Sequence, residues 1–215
     1  MKILTISDKV DELLYSPAIK HLGAEVDLIL GCGDLPAYYL EFIVTMLGGP
    51  LFYVIGNHAN EVKQQHLPQH QWEHPGGCEN IDGRVIQYRG LLIAGLEGSM
   101  RYNANPYFQY TEREMAVKVG QLVPSLMLNR LRYGRYLDIL ITHAPPQGIH
   151  DKADRCHQGF RAFVNFMARF RPRYLIHGHV HVYSPTEPVE TVFGETTVLN
   201  TYGYRILDID EDRLR

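Results

Sequence analysis

Aspartate, asparagine and histidine recur in this chain where short apolar runs end. ILTISD closes on Asp8, LILGCGD on Asp34, FYVIGNH on Asn57 and His58, DILITH on His143, and YLIHGHVH carries His177, His179 and His181. Carboxylate, amide and neutral imidazole donors suit Mn, Fe, Zn, Ni or Co better than calcium. A carboxylate can bridge two cations, and two cations roughly 3.5 to 4 Å apart can clamp a phosphoryl group while acidifying a shared water. His58, beside Asn57 and not needed as a ligand, is then available to protonate a leaving-group oxygen or to stabilise charge developing on phosphorus.

Such residues work only if the chain brings them together. Each apolar run is short and rich in Ile, Leu, Val and Tyr, so each predicts a buried strand that hands over to a loop at its polar residue. In open α/β sheets the ligand crevice lies outside the carboxyl ends of the strands, where such residues can converge. The first half alternates strand and helix: a strand to Ser7, a helical pattern over 11–22, a strand over 26–31, a helix over 37–47 and a strand over 51–55. That alternation predicts parallel βαβ units. RVIQYRGLLIAGLE reads as a hairpin turning at Arg89-Gly90. Thr111 to Glu114 forms a capping box for a helical stretch over 112–133, which Pro124 should split or kink. After His143 a loop precedes a helix to about Phe170, and the tail carries strands near 189–193, 196–200 and 204–209 with a tight turn at Gly194-Glu195.

Composition narrows the classes. At 215 residues the chain suits one domain with a substantial core, and 45% hydrophobic with 21% charged residues is ordinary for a globular protein. No apolar run approaches the ~20 residues of a membrane span. MKILTISD puts an aspartate where a signal peptide needs its apolar centre, so a cytoplasmic location is expected. Cys32, Cys78 and Cys156 show no CxxC spacing, which argues for plain thiols, with Cys32 a small buried filler. The net charge of −3 gives no footprint for long nucleic acid. Arginines at 130, 132 and 135 and at 161, 169, 171 and 173 read as solvated faces. His66, His70 and His74 are spaced by four, but Pro68 interrupts them, and they read as loop histidines.

The ordered set Gly33-Asp34, Gly56-Asn57-His58, Thr142-His143 and Gly178-His179-Val180-His181 resembles the calcineurin-like metallophosphoesterase superfamily, with matching from residue 3 to at least 201. The resemblance implies an α/β fold, a four-layer α/β/β/α sandwich of two stacked mixed sheets. It also implies roles. Asp34 bridges one or two divalent transition metals, of which Mn is favoured; Asn57, His143 and His179 complete one site; Asp8 and His181 belong to the other; His58 is the catalytic histidine.

Two positions depart from the family pattern. Asp-x-His usually opens it, whereas this chain has Asp8-Lys9-Val10, and an isopropyl group cannot coordinate a cation. The first metal site therefore lacks a nitrogen; Asp11, the nearest acidic substitute, reads as a helix N-cap. Ala59 stands where the family commonly orients its histidine with Asp or Glu, leaving Asn60, Glu61 or Glu97 as substitutes. Arg101, Tyr102 and Asn103 follow the strand end at Glu97 to Ser99 and are candidates for a substrate rim. His150 and His157 read as surface histidines, Asp151 and Asp154 as caps, and His177 as packing beneath the site.

The expected function is hydrolysis of a small phosphomonoester or phosphodiester, plausibly nucleotide-like, by in-line attack of metal-bound hydroxide with no covalent enzyme intermediate. The alternative is a binding scaffold that keeps the fold without efficient catalysis, as in the retromer subunit built on it. His58 separates the two, since a scaffold has no need of it. A nuclease is disfavoured by the acidic charge and by the lack of an added DNA-binding domain.

Overall fold

A computed structural model describes residues 1–23, 26–58, 74–104 and 107–210. In chain order its elements are β1 (Lys2–Ser7), α1 (Ile19–Gly23), β2 (Leu28–Cys32), α2 (Ala37–Leu47), β3 (Leu51–Val54), β4 (Cys78–Asn80), β5 (Val85–Tyr88), β6 (Leu91–Leu96), β7 (Ser99–Met100), β8 (Gln109–Tyr110), α3 (Glu112–Tyr133), β9 (Ile139–Thr142), α4 (Arg161–Phe170), β10 (Tyr174–His177), β11 (Glu190–Phe193), β12 (Thr196–Asn200) and β13 (Gly203–Asp208).

Two mixed sheets carry most of these strands, in the orders β13-β1-β2-β3-β4 and β11-β12-β10-β9-β6-β5. β1, β2, β3 and β4 run parallel in the first sheet, and β6, β9, β10 and β12 run parallel in the second. Side chains alternate across each strand, so successive residues enter different apolar layers. Leu28, Leu30, Cys32, Phe52 and Val54 meet Ile93, Ile139, Ile141 and Ile176 between the sheets. Ile29, Leu51 and Tyr53 point the other way, onto Ile19, Tyr39 and Ile43 of α1 and α2. Leu140, Leu175 and Val198 pack on Met115, Leu122 and Leu126 of α3 and Phe163 and Phe166 of α4. Three apolar layers between four structural ones give the expected α/β/β/α sandwich.

Two helices differ from expectation. The helical pattern over 11–22 forms only a turn and the short α1. Asp11 Oδ1 accepts the N–H groups of Leu13 and Leu14, and Ser16 Oγ accepts that of Ala18. These side chains satisfy the backbone locally, and Pro17 has no N–H to carry a helix through. By contrast α3 runs unbroken through Pro124. The proline denies a hydrogen bond to the carbonyl four residues back; that residue is Gly120, exposed and with no atom within 4 Å of where a Cβ would stand, so water can reach the freed carbonyl. Thr111 and Glu114 form the expected capping box. The β5–β6 hairpin turns through Arg89 at φ 45° and Gly90 at φ 90°, the left-handed pair of a tight hairpin turn. No helix among the described residues is long and apolar enough to cross a membrane.

Candidate metal centre

The ends of β1, β2, β9 and β10, from both sheets, meet at one edge of the sandwich. The chain must turn sharply there, and Asp8, Asp34 and His179 do so at φ 60°, 54° and 65°. Non-glycine residues seldom adopt this left-handed conformation, and such strain concentrates where a site requires it. Cross-ties hold the three in place. Asp34 Oδ1 accepts the N–H of His58 at 2.9 Å, and Asp8 Oδ2 accepts the N–H of His179 at 2.9 Å. Two motif glycines supply the room: a Cβ on Gly56 would overlap Asp34 Oδ1, and one on Gly178 would overlap Asp8 Oδ2.

Around Asp34 the donors converge. His143, fully buried, hydrogen-bonds through Nδ1 to the Cys32 carbonyl at 2.8 Å, so that nitrogen carries a hydrogen. Its Nε2 faces Asn57 Oδ1 at 2.9 Å and Asp34 Oδ2 at 3.1 Å. A neutral ring would set a lone pair against two oxygen acceptors, so the point requires a positive charge. A proton supplies it in the metal-free protein. Burial alone would lower the His143 pKa, but the Asp34 carboxylate, with Asp8 and the Cys32 carbonyl, raises it to about 9. Burial likewise opposes ionisation of Asp34, yet His143 and the His58 N–H bring its pKa to about 2. The nitrogen and oxygen donors of this cluster fit a divalent transition metal, which would displace that proton.

His179 adds a further nitrogen. Its Nε2 donates to the Cys156 carbonyl at 2.7 Å, which leaves Nδ1 with the lone pair. Burial, reinforced by the charge on His143, lowers its pKa to about 3, so the ring is neutral. Ligand atoms of Asp34, His143 and His179 lie within 4.8 Å of one another.

The half-site begun by Asp8 is looser. His181 Nε2 lies 3.8 Å from Asp8 Oδ1, while its Nδ1 meets the Tyr183 hydroxyl at 2.9 Å and its ring stacks on Tyr202 at 4.7 Å. Burial raises the Asp8 pKa, with the Asp34 charge adding and that of His143 opposing. Val10 packs against the apolar layer around Leu4, Ile6 and Leu14, and the Asp11 carboxylate is spent on the Leu13 and Leu14 N–H groups of a turn, not on the helix cap expected there. Among the described residues neither Asp8 nor His181 joins a group of three His, Cys, Asp or Glu side chains close enough to share a cation.

The three candidate rim residues separate. Asn57 Nδ2 donates to the Tyr102 hydroxyl at 3.2 Å, so Tyr102 reaches the cluster and steadies the amide whose Oδ1 faces His143. Gln109 Oε1 accepts the N–H groups of Tyr102 and Asn103. Arg101 is committed elsewhere, to the Gln109 carbonyl and the Glu114 carboxylate. Glu97 is bonded to Tyr110 and Lys118. Ala59, Asn60, Glu61, His66 and His70 lie outside the described residues, whereas His74 Nδ1 meets the Tyr53 hydroxyl.

His150 is not a surface histidine. Its Nδ1 meets His177 Nε2 at 3.0 Å and its Nε2 meets Thr191 Oγ1 at 2.9 Å, so it ties its loop to β10 and β11. His177 is buried beneath the site as expected. Asp151 and Asp154 accept loop N–H groups, from Gly159 and His157. Sequence reasoning missed Gln109, Tyr202 and the Cys156 carbonyl. A glutamine in a strand facing the core could have signalled the first; a backbone carbonyl carries no residue signal.

Strand ends of two stacked mixed sheets, closed by Asp, Asn and His around a common point, define a metallophosphatase-type fold. The calcineurin-like phosphoesterase family model matches residues 3–183, and the chain belongs to that family. No curated protein matches it. Solved structures share the fold at low identity. One superposes with a TM-score of 0.62 at 17% identity, covering 96% of this chain and 94% of the other. TT1561 of Thermus thermophilus gives 0.58 at 16%, covering 94% and 89%. GAP50, the anchor in the inner membrane complex of Plasmodium, gives 0.51 at 12%, covering 94% and 71%.

Proposed function

We propose that this chain, as a single domain over residues 1–215, is a cytoplasmic phosphoesterase that hydrolyses a small phosphomonoester or phosphodiester, such as a nucleotide-like ester. One or two divalent transition metals, with Mn favoured, would be its cofactor. The observation that carries the reading is the meeting of Asp34, Asn57, His143 and His179 donors around a point that needs positive charge. A bound divalent cation there would acidify water and take up charge on the phosphoryl oxygens.

The chain's own residues do the rest. Asp34, Asn57, His143 and His179 would hold one cation, and Asp8 and His181, with Asp34, would hold a second. The Cys32 and Cys156 carbonyls fix which ring nitrogens of His143 and His179 stay basic. Tyr102 orients Asn57, and Tyr102 and Asn103 border the substrate. His58, tied through its backbone to Asp34, protonates the leaving-group oxygen.

The test compares metal-stripped and Mn-reconstituted protein on bis-p-nitrophenyl phosphate and p-nitrophenyl phosphate, beside Asp34→Asn and His58→Ala. Turnover should require metal, and His58→Ala should lose about 10²- to 10⁴-fold, the usual contribution of an acid–base group. Metal-loaded protein without turnover would sink the proposal and favour a scaffold, and undiminished turnover in both variants would sink the roles given to Asp34 and His58.

A further inference from the structure

Three rings crowd together beside Asp8. His181 stacks on Tyr202 with centroids 4.7 Å apart, and Tyr183 stands edge-on to both, 5.9 Å from His181 and 6.3 Å from Tyr202. Tyr202 pairs with Ser7 at the end of β1, and Asn200 Oδ1 accepts its N–H at 2.9 Å. Glu187 Oε1 accepts the N–H groups of Tyr183 and Ser184, and the Tyr183 hydroxyl meets His181 Nδ1 at 2.9 Å. Both tyrosines are therefore held in place before anything binds.

Tyr183 is nevertheless 76% exposed. An exposed aromatic residue standing alone needs no explanation. This one is fixed on the loop that leaves the metal centre, and its tie to His181 uses only the hydroxyl. Lys152 Nζ lies 5.9 Å from the ring centroid and still leaves the ring largely in solvent.

Reach decides what can lie there. His181 stands between Tyr183 and the Asp8 carboxylate, with its Nε2 3.8 Å from Asp8 Oδ1. An aryl phosphate carries its ring directly on the ester oxygen, too close to cross that side chain while its phosphorus sits at the metal centre. A nucleotide can cross it, because a pentose separates phosphate from base. Bases stack on tyrosine rings with little regard to their identity. Resting on the phosphoesterase reading above, we propose that Tyr183 is a specificity residue of this site: its ring, braced by His181 and Tyr202, stacks the base of a nucleotide whose phosphate occupies the metal centre.

Calorimetric titration of Mn-loaded His58→Ala protein, in which turnover is slowed, compares adenosine 5′-monophosphate with ribose 5-phosphate, which lacks only the base. The nucleotide should bind about tenfold tighter, the lower end of what one stacked base contributes. Tyr183→Leu in that background should abolish the preference. Tyr183→Phe should keep it, because the ring stays while the hydroxyl bonded to His181 is lost; a role confined to holding His181 would instead weaken both ligands alike. Equal binding of the two ligands, no binding of the nucleotide, a preference that survives Tyr183→Leu or one that Tyr183→Phe abolishes would overturn the proposal. Turnover of p-nitrophenyl phosphate by the wild-type protein reads hydrolysis separately. Turnover without a base preference overturns the stacking role alone, and a base preference without turnover supports that role and counts against hydrolysis.

Discussion

Gly56→Ala tests whether the motif glycines exist to make room for the ligand carboxylates. The new Cβ would overlap Asp34 Oδ1 and stand 2.5 Å from Asp34 Cγ and 2.7 Å from its backbone nitrogen. Favourable contact begins near ~3.5 Å, so atoms must move. Asp34 has little freedom to do so, because its backbone sits at φ 54° and its Oδ1 holds the His58 N–H. Overpacking of this kind costs about 1 to 3 kcal/mol, and each kcal/mol lowers Tm by about 2 to 4 °C in a chain of this size. A misdirected Asp34 should also weaken metal binding about 10- to 100-fold, the scale seen when a ligand loses its support. Gly120→Ala is the control: it meets nothing within 4 Å, lies in an exposed helix interior, and should gain about 0.5 to 1 kcal/mol. Urea unfolding of the metal-free variants and Mn titration against a competing chelator read both effects. Gly56→Ala with unchanged stability and metal affinity would refute the steric reasoning.

Further outcomes follow from neighbouring contacts. Tyr102→Phe removes the hydroxyl that steadies Asn57, and Mn affinity by chelator competition should fall about tenfold with little change in urea midpoint. Asp138→Ala strips the buried acceptor of the Leu92 N–H and of Arg135, and should cost about 1 to 3 kcal/mol in chemical unfolding without altering the metal site. Burial, with His150 adding, lowers the His177 pKa to about 3, below the ~6.5 of the unfolded chain. The folded state thus binds fewer protons, so stability falls as pH drops below 6.5, by about 2 kcal/mol from this group by pH 5. The urea midpoint of metal-free protein measured across that range checks it, and a flat profile would contradict it. Arg101→Ala breaks an exposed pair with Glu114 and should cost under about 1 kcal/mol by the same unfolding assay.

Much of the fold was legible because short apolar runs closed by Asp, Asn or His announce themselves as strands. Asp34, Asn57, His143 and His179 sit on four such ends, and the capping box at Thr111 marked the start of α3 correctly. What escaped the sequence depended on surroundings. Pro124 does not break α3 because the carbonyl it deprives belongs to exposed Gly120, and exposure is a tertiary property. Arg101 looked like a phosphate contact, but Glu114, thirteen positions on, claims its guanidinium. His150 looked solvated until folding brought it to His177. The deficit at Val10 was readable as chemistry. That the valine joins an apolar layer, and that Asp11 holds a turn in place of the helix it was expected to cap, needed the fold.

Anomalous diffraction from Mn-reconstituted crystals tests the asymmetric centre most directly. A strong peak bounded by Asp34, Asn57, His143 and His179 is expected, with a weaker peak or none beside Asp8 and His181. Two equal peaks, or a metal bound away from Asp34 altogether, would contradict it.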